Sequence, residues 1–110
     1  MPATSKRLEF LQKLTSSGTA GTHEDPFAWY GLAMEYRSLG RIDEAVATFT
    51  ALRARSPDYV AMYLMCGQTL EKAGRIPEAR EWLTAGIAAA VAKGDTHAAG
   101  EIEGALGALG

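Results

Sequence analysis

A 34-residue period organises most of this 110-residue chain. The segment Gly40–Ala45 (GRIDEA) returns 34 residues later as Gly74–Ala79 (GRIPEA), at the matching place in each copy. Self-similarity with a fixed period of this length is typical of helical repeat arrays, in which neighbouring repeats bury each other's apolar faces. The two copies cover residues 26–59 and 60–93. The period indicates an all-α binding scaffold, and it does not identify what is bound.

Apolar periodicity and helix-ending residues predict six helices and no strand. Asp25 precedes Pro26 in the order expected at a helix N-terminus, and Gly40 can adopt the left-handed conformation that ends helices. Either Ser56 or Asp58 is expected to cap the fourth helix, and short loops force successive helices into antiparallel pairs. The predicted helices cover Ser5–Leu14, Pro26–Leu39, Ile42–Arg55, Tyr59–Ala73, Pro77–Lys93 and Thr96–Leu109.

The chain divides into residues 1–25, an N-terminal helix with a flexible connector, and residues 26–110, the two repeats with a capping helix over 95–109. The connector is Thr15–Glu24, a small, polar and glycine-containing stretch. Because the N-terminal helix is shorter than about 12 residues, we expect it to dock reversibly on the first repeat or in its groove.

Composition excludes several classes of function. The net charge of −2 gives no basic face for nucleic acid or an anionic membrane. No stretch approaches the roughly 20 apolar residues that cross a bilayer, and no secretory signal is visible at the N-terminus. A single cysteine excludes an intramolecular disulfide and fits a reducing compartment. We therefore expect a cytoplasmic protein.

No combination of residues predicts catalysis, a metal or a cofactor. Cys66 occupies a small position facing a partner helix, where a free cysteine commonly serves as a buried hydrophobe. His23 and His97 have no neighbours at metal-ligand spacing, and the carboxylates lie where solvated helix faces and helix N-termini favour them. We therefore expect that the chain is not an enzyme.

The helix pairs resemble the tetratricopeptide repeat, whose 34-residue unit has large and small residues at fixed places. The first copy matches this pattern nearly completely, and the second departs from it at Gly86 and at Val91, where the closing proline is absent. The resemblance implies an antiparallel helix-pair solenoid of two repeats, with an N-terminal helix and a C-terminal capping helix, similar to short free-standing bacterial members. The matching residues are Trp29, Leu32, Ala33, Tyr36, Ala45, Phe49, Leu52 and Pro57 in the first copy, and Tyr63, Cys66, Gly67, Leu70, Ala79 and Leu83 in the second.

The resemblance also implies a peptide-binding groove on the first helix of each repeat. Some relatives clamp a partner's terminal carboxylate with asparagines, but Met34 and Met65 stand at those places here, so that clamp is not expected. An alternative is that Tyr30, Met34 and Leu64 simply pack under the N-terminal or last helix. The predicted groove residues are Tyr30, Met34 and Arg37 in the first copy and Leu64, Gln68 and Lys72 in the second.

The resulting hypothesis is a scaffold that binds an unidentified protein or peptide in this groove. The alternative is a homo-oligomer, such as a homodimer, that buries the repeat face against a second copy.

Overall fold

A computed structural model describes residues 4–16 and 25–109 of the chain. Within these ranges it contains six α-helices and no strand, which confirms the predicted all-α fold class. The helices are α1 Lys6–Thr15, α2 Pro26–Ser38, α3 Ile42–Arg55, α4 Val60–Lys72, α5 Ile76–Lys93 and α6 Thr96–Gly107.

Two compact units make up the chain. Unit 1 is Met1–Ser56 and contains α1, α2 and α3, and unit 2 is Pro57–Gly110 and contains α4, α5 and α6. The predicted division at residues 25 and 26 remains a prediction.

The observed helix bounds lie within two residues of the predicted ones, and those of α3 agree at both ends. Helix α1 is shifted by one residue because Ser5 lies outside it as the N-cap, where its Oγ accepts a hydrogen bond of 3.0 Å from the Leu8 amide. Thr15, predicted to begin the connector, is the last helical residue, and its hydroxyl donates to the Leu11 carbonyl. Of the predicted connector, residues 17–24 lie outside the described residues.

The expected side-chain cap starts α2 and is absent from α4. Asp25 accepts from the Phe27 amide at 2.9 Å, which confirms it as the cap of α2. The prediction that Ser56 or Asp58 caps α4 is wrong, since Tyr59 is the N-cap residue and makes no side-chain cap bond. Ser56 instead ends α3, and the Asp58 carboxylate lies 3.8 Å from the Lys93 ammonium.

The repeated GRI(D/P)EA motif forms the same ion pair in both units. Arg41 Nη2 lies 2.6 Å from Glu44 Oε2, and Arg75 Nη2 lies 2.8 Å from Glu78 Oε2. Hydrogen bonding from each guanidinium lowers the pKa of the glutamate beside it. Each pair joins the N-cap residue of a helix to its first turn. The motif therefore has a structural role in starting α3 and α5.

Small residues set the packing of α2 against α3 in unit 1. Ala33 and Ala45 are fully buried, as are Phe49 and Leu52 on α3. A small side chain at the point of contact allows two helices to approach, and larger side chains then fill the space beside it. This arrangement matches the distribution of large and small residues along the first repeat.

Glycine has the equivalent role between α4 and α5 in unit 2. A Cβ atom at Gly67 would lie 2.5 Å from Leu83 Cδ2, and one at Gly86 would lie 2.5 Å from Tyr63 Cβ. A Cβ atom at Gly86 would also lie 3.3 Å from Cδ1 of Ile102 on α6. The departure from the family pattern at Gly86 thus has a steric cause, because Tyr63 occupies the space that an alanine methyl would need.

Replacing Gly86 with alanine should therefore destabilise the protein by about 1–3 kcal/mol, the range found for overpacked cores. The matched control is Gly100→Ala in α6, where an added Cβ meets no atom within 4 Å. That substitution should stabilise by up to about 1 kcal/mol, because alanine favours the helix over glycine. Chemical denaturation of both variants tests this expectation, and a Gly86→Ala variant as stable as Gly100→Ala would contradict it.

Candidate binding site

Tyr30 lies on the face of α2 that was predicted to bind a partner. Its ring is half-buried and packs edge-on against Phe49, with 6.4 Å between ring centroids. Burial raises the pKa of the Tyr30 hydroxyl above its ordinary value of 10.0, and the positive charge of Arg37 offsets part of that rise. Tyr30 is therefore anchored in the unit at its ring and influenced by a cation near its hydroxyl.

Met34 and Tyr30 line a cleft of about 390 Å³ between α1 and α2. Gly31 lies at the contact of the two helices, where an added Cβ would be 3.3 Å from Leu11 Cδ2. Phe10 on α1 and Phe27 on α2 also line the cleft, with 61% and 70% of their surfaces exposed. The complete lining is Arg7, Phe10, Leu11, Leu14, Asp25, Phe27, Ala28, Tyr30, Gly31 and Met34.

Polar contacts hold α1 in place beside this cleft. Leu8 is fully buried, and the Ser5 hydroxyl donates to Glu35 Oε2 at 2.9 Å. Gln12 Nε2 donates to the Tyr36 hydroxyl at 2.9 Å. One wall of the cleft is thus supplied by a helix outside the repeated segments. The expected docking of α1 on the first repeat is observed within unit 1, and its reversibility remains a prediction.

In unit 2, Leu64 lies on α4 beside α6. It is half-buried and packs on a core cluster that includes Leu83 and Ile102. It also lines a smaller cleft of about 180 Å³, whose charged residues are Asp95 and Glu101. Part of the Leu64 side chain therefore contributes to the core, as the packing alternative expects.

The six predicted groove residues form two sets, one in each unit. Tyr30, Met34 and Arg37 follow one another along α2, and all three are half-buried. Leu64, Gln68 and Lys72 follow one another at intervals of four residues along α4, where the first two are half-buried and Lys72 is exposed. The assignment of these residues to a binding groove remains a prediction.

Sequence reasoning missed Phe10 as a lining residue of the α1–α2 cleft. The buried side of α1 carries Leu8 and Leu11. Phe10 lies outside that buried side and is exposed. The signal that could have identified Phe10 was a large aromatic residue that lies next to the buried leucines in the sequence but outside their side of the helix.

Of the residues considered for chemistry, His23 lies outside the described residues, and Cys66 and His97 lie in ordinary structural surroundings. Cys66 is fully buried on α4. His97 is exposed, and its Nε2 lies 3.3 Å from Glu101 Oε1. Within residues 4–16 and 25–109, no group of three or more His, Cys, Asp or Glu side chains is arranged to hold a metal. None of the helices in those ranges combines the length and apolar character needed to span a bilayer.

Comparison with known proteins identifies the family. The tetratricopeptide repeat family model matches residues 30–95. The chain belongs to the tetratricopeptide repeat family. The match covers most of both repeats and confirms the resemblance recognised in the sequence.

Solved structures of tetratricopeptide repeat proteins are similar to this one. A solution NMR structure of such a domain protein from Salinibacter ruber is 31% identical, with a TM-score of 0.74, over 78% of this chain and 87% of that chain. A crystal structure of a tetratricopeptide repeat domain protein from the same organism is 30% identical, with a TM-score of 0.71, over 77% and 96%. A solution structure of a Bordetella parapertussis protein is 24% identical, with a TM-score of 0.78 over 96% and 89%, and supports the fold alone. The curated proteins contain no match.

The environment of Tyr30 gives a prediction about pH. Because folding raises its pKa, Tyr30 adds to stability below its unfolded pKa near 10, and this contribution is lost as the pH rises through the folded pKa. Arg37→Gln should raise the pKa of Tyr30 further, since the guanidinium lowers it. Absorbance titration of tyrosinate, with Tyr30→Phe to identify the transition, measures the shift. An unchanged or lower pKa in Arg37→Gln would refute this electrostatic coupling.

Proposed function

We propose that this tetratricopeptide repeat protein is a non-catalytic scaffold that binds a protein or peptide segment on the exposed sides of α2 and α4. The residues proposed to make contact are Tyr30, Met34 and Arg37 on α2, and Leu64, Gln68 and Lys72 on α4. The cytoplasmic location predicted from the sequence is part of this proposal.

The observation that carries the proposal is the α2 face of unit 1. It presents large apolar side chains that the core leaves partly exposed, Tyr30 and Met34 among them, with Phe27 exposed beside them. Partly exposed apolar groups grouped in a cleft mark binding surfaces, because their burial against a partner is favourable. Arg37 adds a cation at the same face, and cations set orientation and association rate more than affinity.

The family supports the same conclusion at a coarser level. Tetratricopeptide repeats generally mediate protein interactions, and the fold is typically a non-enzymatic scaffold. Met34 is half-buried in the α1–α2 cleft, and Met65 is half-buried beside Leu64 in the α4–α6 cleft. Methionine at these places offers adaptable apolar contact instead of the amide donors of a carboxylate clamp. We therefore propose that Tyr30 and Met34 provide apolar contacts for the bound segment, and that an acidic group of that segment lies near Arg37.

Selection of displayed peptides on the intact chain, followed by measurement of binding kinetics, tests the proposal. Tyr30→Ala should weaken a selected peptide by more than 1 kcal/mol, as truncation of a buried aromatic anchor does. Arg37→Glu should slow association and change its salt dependence. Lys13→Glu, an exposed charge reversal on α1 outside the cleft lining, is the control and should leave binding unchanged.

Two results would contradict the groove assignment. Selected peptides that bind Tyr30→Ala and Arg37→Glu as tightly as the unmodified chain would place recognition elsewhere, on the loops or α6. Light scattering addresses the alternative function, since a scaffold free to bind other proteins should have the 11.7 kDa mass of a single chain. A stable dimer that Tyr30→Ala dissociates would favour the homo-oligomer.

A further inference from the structure

Two of the three exposed large apolar side chains in residues 4–16 and 25–109 border one cleft. Phe10 and Phe27 line the space between α1 and α2, and the third, Val91, is on α5. Burying a phenylalanine side chain is worth roughly 1.5–3 kcal/mol relative to leaving it in water. Because folding of unit 1 leaves most of both side chains exposed, an occupant of the cleft that covered them would gain most of this free energy.

The cleft has a defined shape because α1 is fixed along α2. Ser5 contacts Glu35, Leu11 contacts Gly31, and Gln12 contacts Tyr36, so contacts along the length of α1 fix it against α2. The two walls are therefore two helices held in contact at several points. The lining runs from Asp25 to Met34 on α2, a length of about 14 Å at the rise of an α-helix. An amphipathic helical segment of two to three turns matches that length.

Charge distinguishes the two ends of the cleft. At the Met34 end, Arg7 lies 3.3 Å from the mostly buried Glu35 and keeps 69% of its side chain exposed. Arg37 follows Met34 by one turn on α2 and acts electrostatically on Tyr30. At the opposite end, Asp25 carries a carboxylate fixed by its cap bond to the Phe27 amide. Glu35 pairs with Arg7, so the cation that distinguishes this end is Arg37, which lies one turn beyond the cleft lining. The resulting order of charges favours an acidic group near Arg37 and disfavours one near Asp25.

We propose that α1 is one wall of a binding cleft in unit 1, and that its occupant is an acidic amphipathic helix from another protein. The apolar side of this helix lies between Phe10 and Phe27, and its acidic end lies beside Arg37. This inference rests on the proposed function and adds to it a helix outside the repeats and a class of partner.

The test uses the full chain and two synthetic peptides of 14 residues with blocked ends. Both have leucine, phenylalanine and leucine at i, i+4 and i+7, and one has glutamates near its N-terminus where the other has lysines. The acidic peptide should bind about tenfold more tightly at low salt, and the difference should shrink as salt screens it. Phe10→Ala should weaken the acidic peptide at least about fivefold, as the loss of an exposed anchor does, while Val91→Ala should bind it unchanged.

The outcomes separate this inference from the proposed function. Weakening by Tyr30→Ala but not by Phe10→Ala would overturn the role of α1 and leave the groove proposal standing. Unchanged binding by both variants would overturn both. Equal affinity for the two peptides, or no binding up to about 1 mM, would overturn the acidic helix as the occupant, since 1 mM corresponds to only about −4 kcal/mol. A dimer that Phe10→Ala converts to a monomer would show that a second copy covers the cleft instead.

Discussion

The helix pairs of this protein depend on contacts where one helix has little or no side chain. Ala33 and Ala45 have this role in unit 1, and Gly67 and Gly86 have it in unit 2. At each glycine, even a methyl group would collide with a side chain of the opposite helix. Because packed interiors have little free volume, these positions determine how closely the helices approach and which larger residues can fill the space around them.

This packing leaves one side of α2 and one side of α4 partly outside the contact between the paired helices. On α2, the core takes Leu32 and Ala33, while Tyr30 and Met34 remain partly exposed. The added helix α1 covers part of that side and leaves a cleft bordered by Phe10. On α4, Leu64 contributes to the core beside α6, and the neighbouring cleft has acidic residues. The two units thus combine a common helix pair with clefts that differ in their charged residues.

Much of the fold could be predicted from the sequence because local signals and the 34-residue period agree. Asp25 and Pro26 marked the start of α2 correctly, and α3 has the predicted bounds. The cap of α4 could not be predicted, since Ser56 and Asp58 are both good capping residues, but Ser56 ends α3 and Asp58 pairs with Lys93. The fit of Gly86 against Tyr63 was also invisible, because it depends on the distance between two helices.

Less of the candidate site could be predicted. The groove positions of the family predict Tyr30 and Met34 as site residues, but the contribution of Phe10 depends on how α1 lies against α2, which periodicity does not specify.

The central claim is that partners bind at the α2 face, and NMR of methionine methyl groups during a peptide titration tests it most directly. The account predicts a shift of the Met34 methyl signal, with the buried Met62 unaffected. Shifts at Met65 with none at Met34 would contradict it, because they would place the peptide in the α4–α6 cleft.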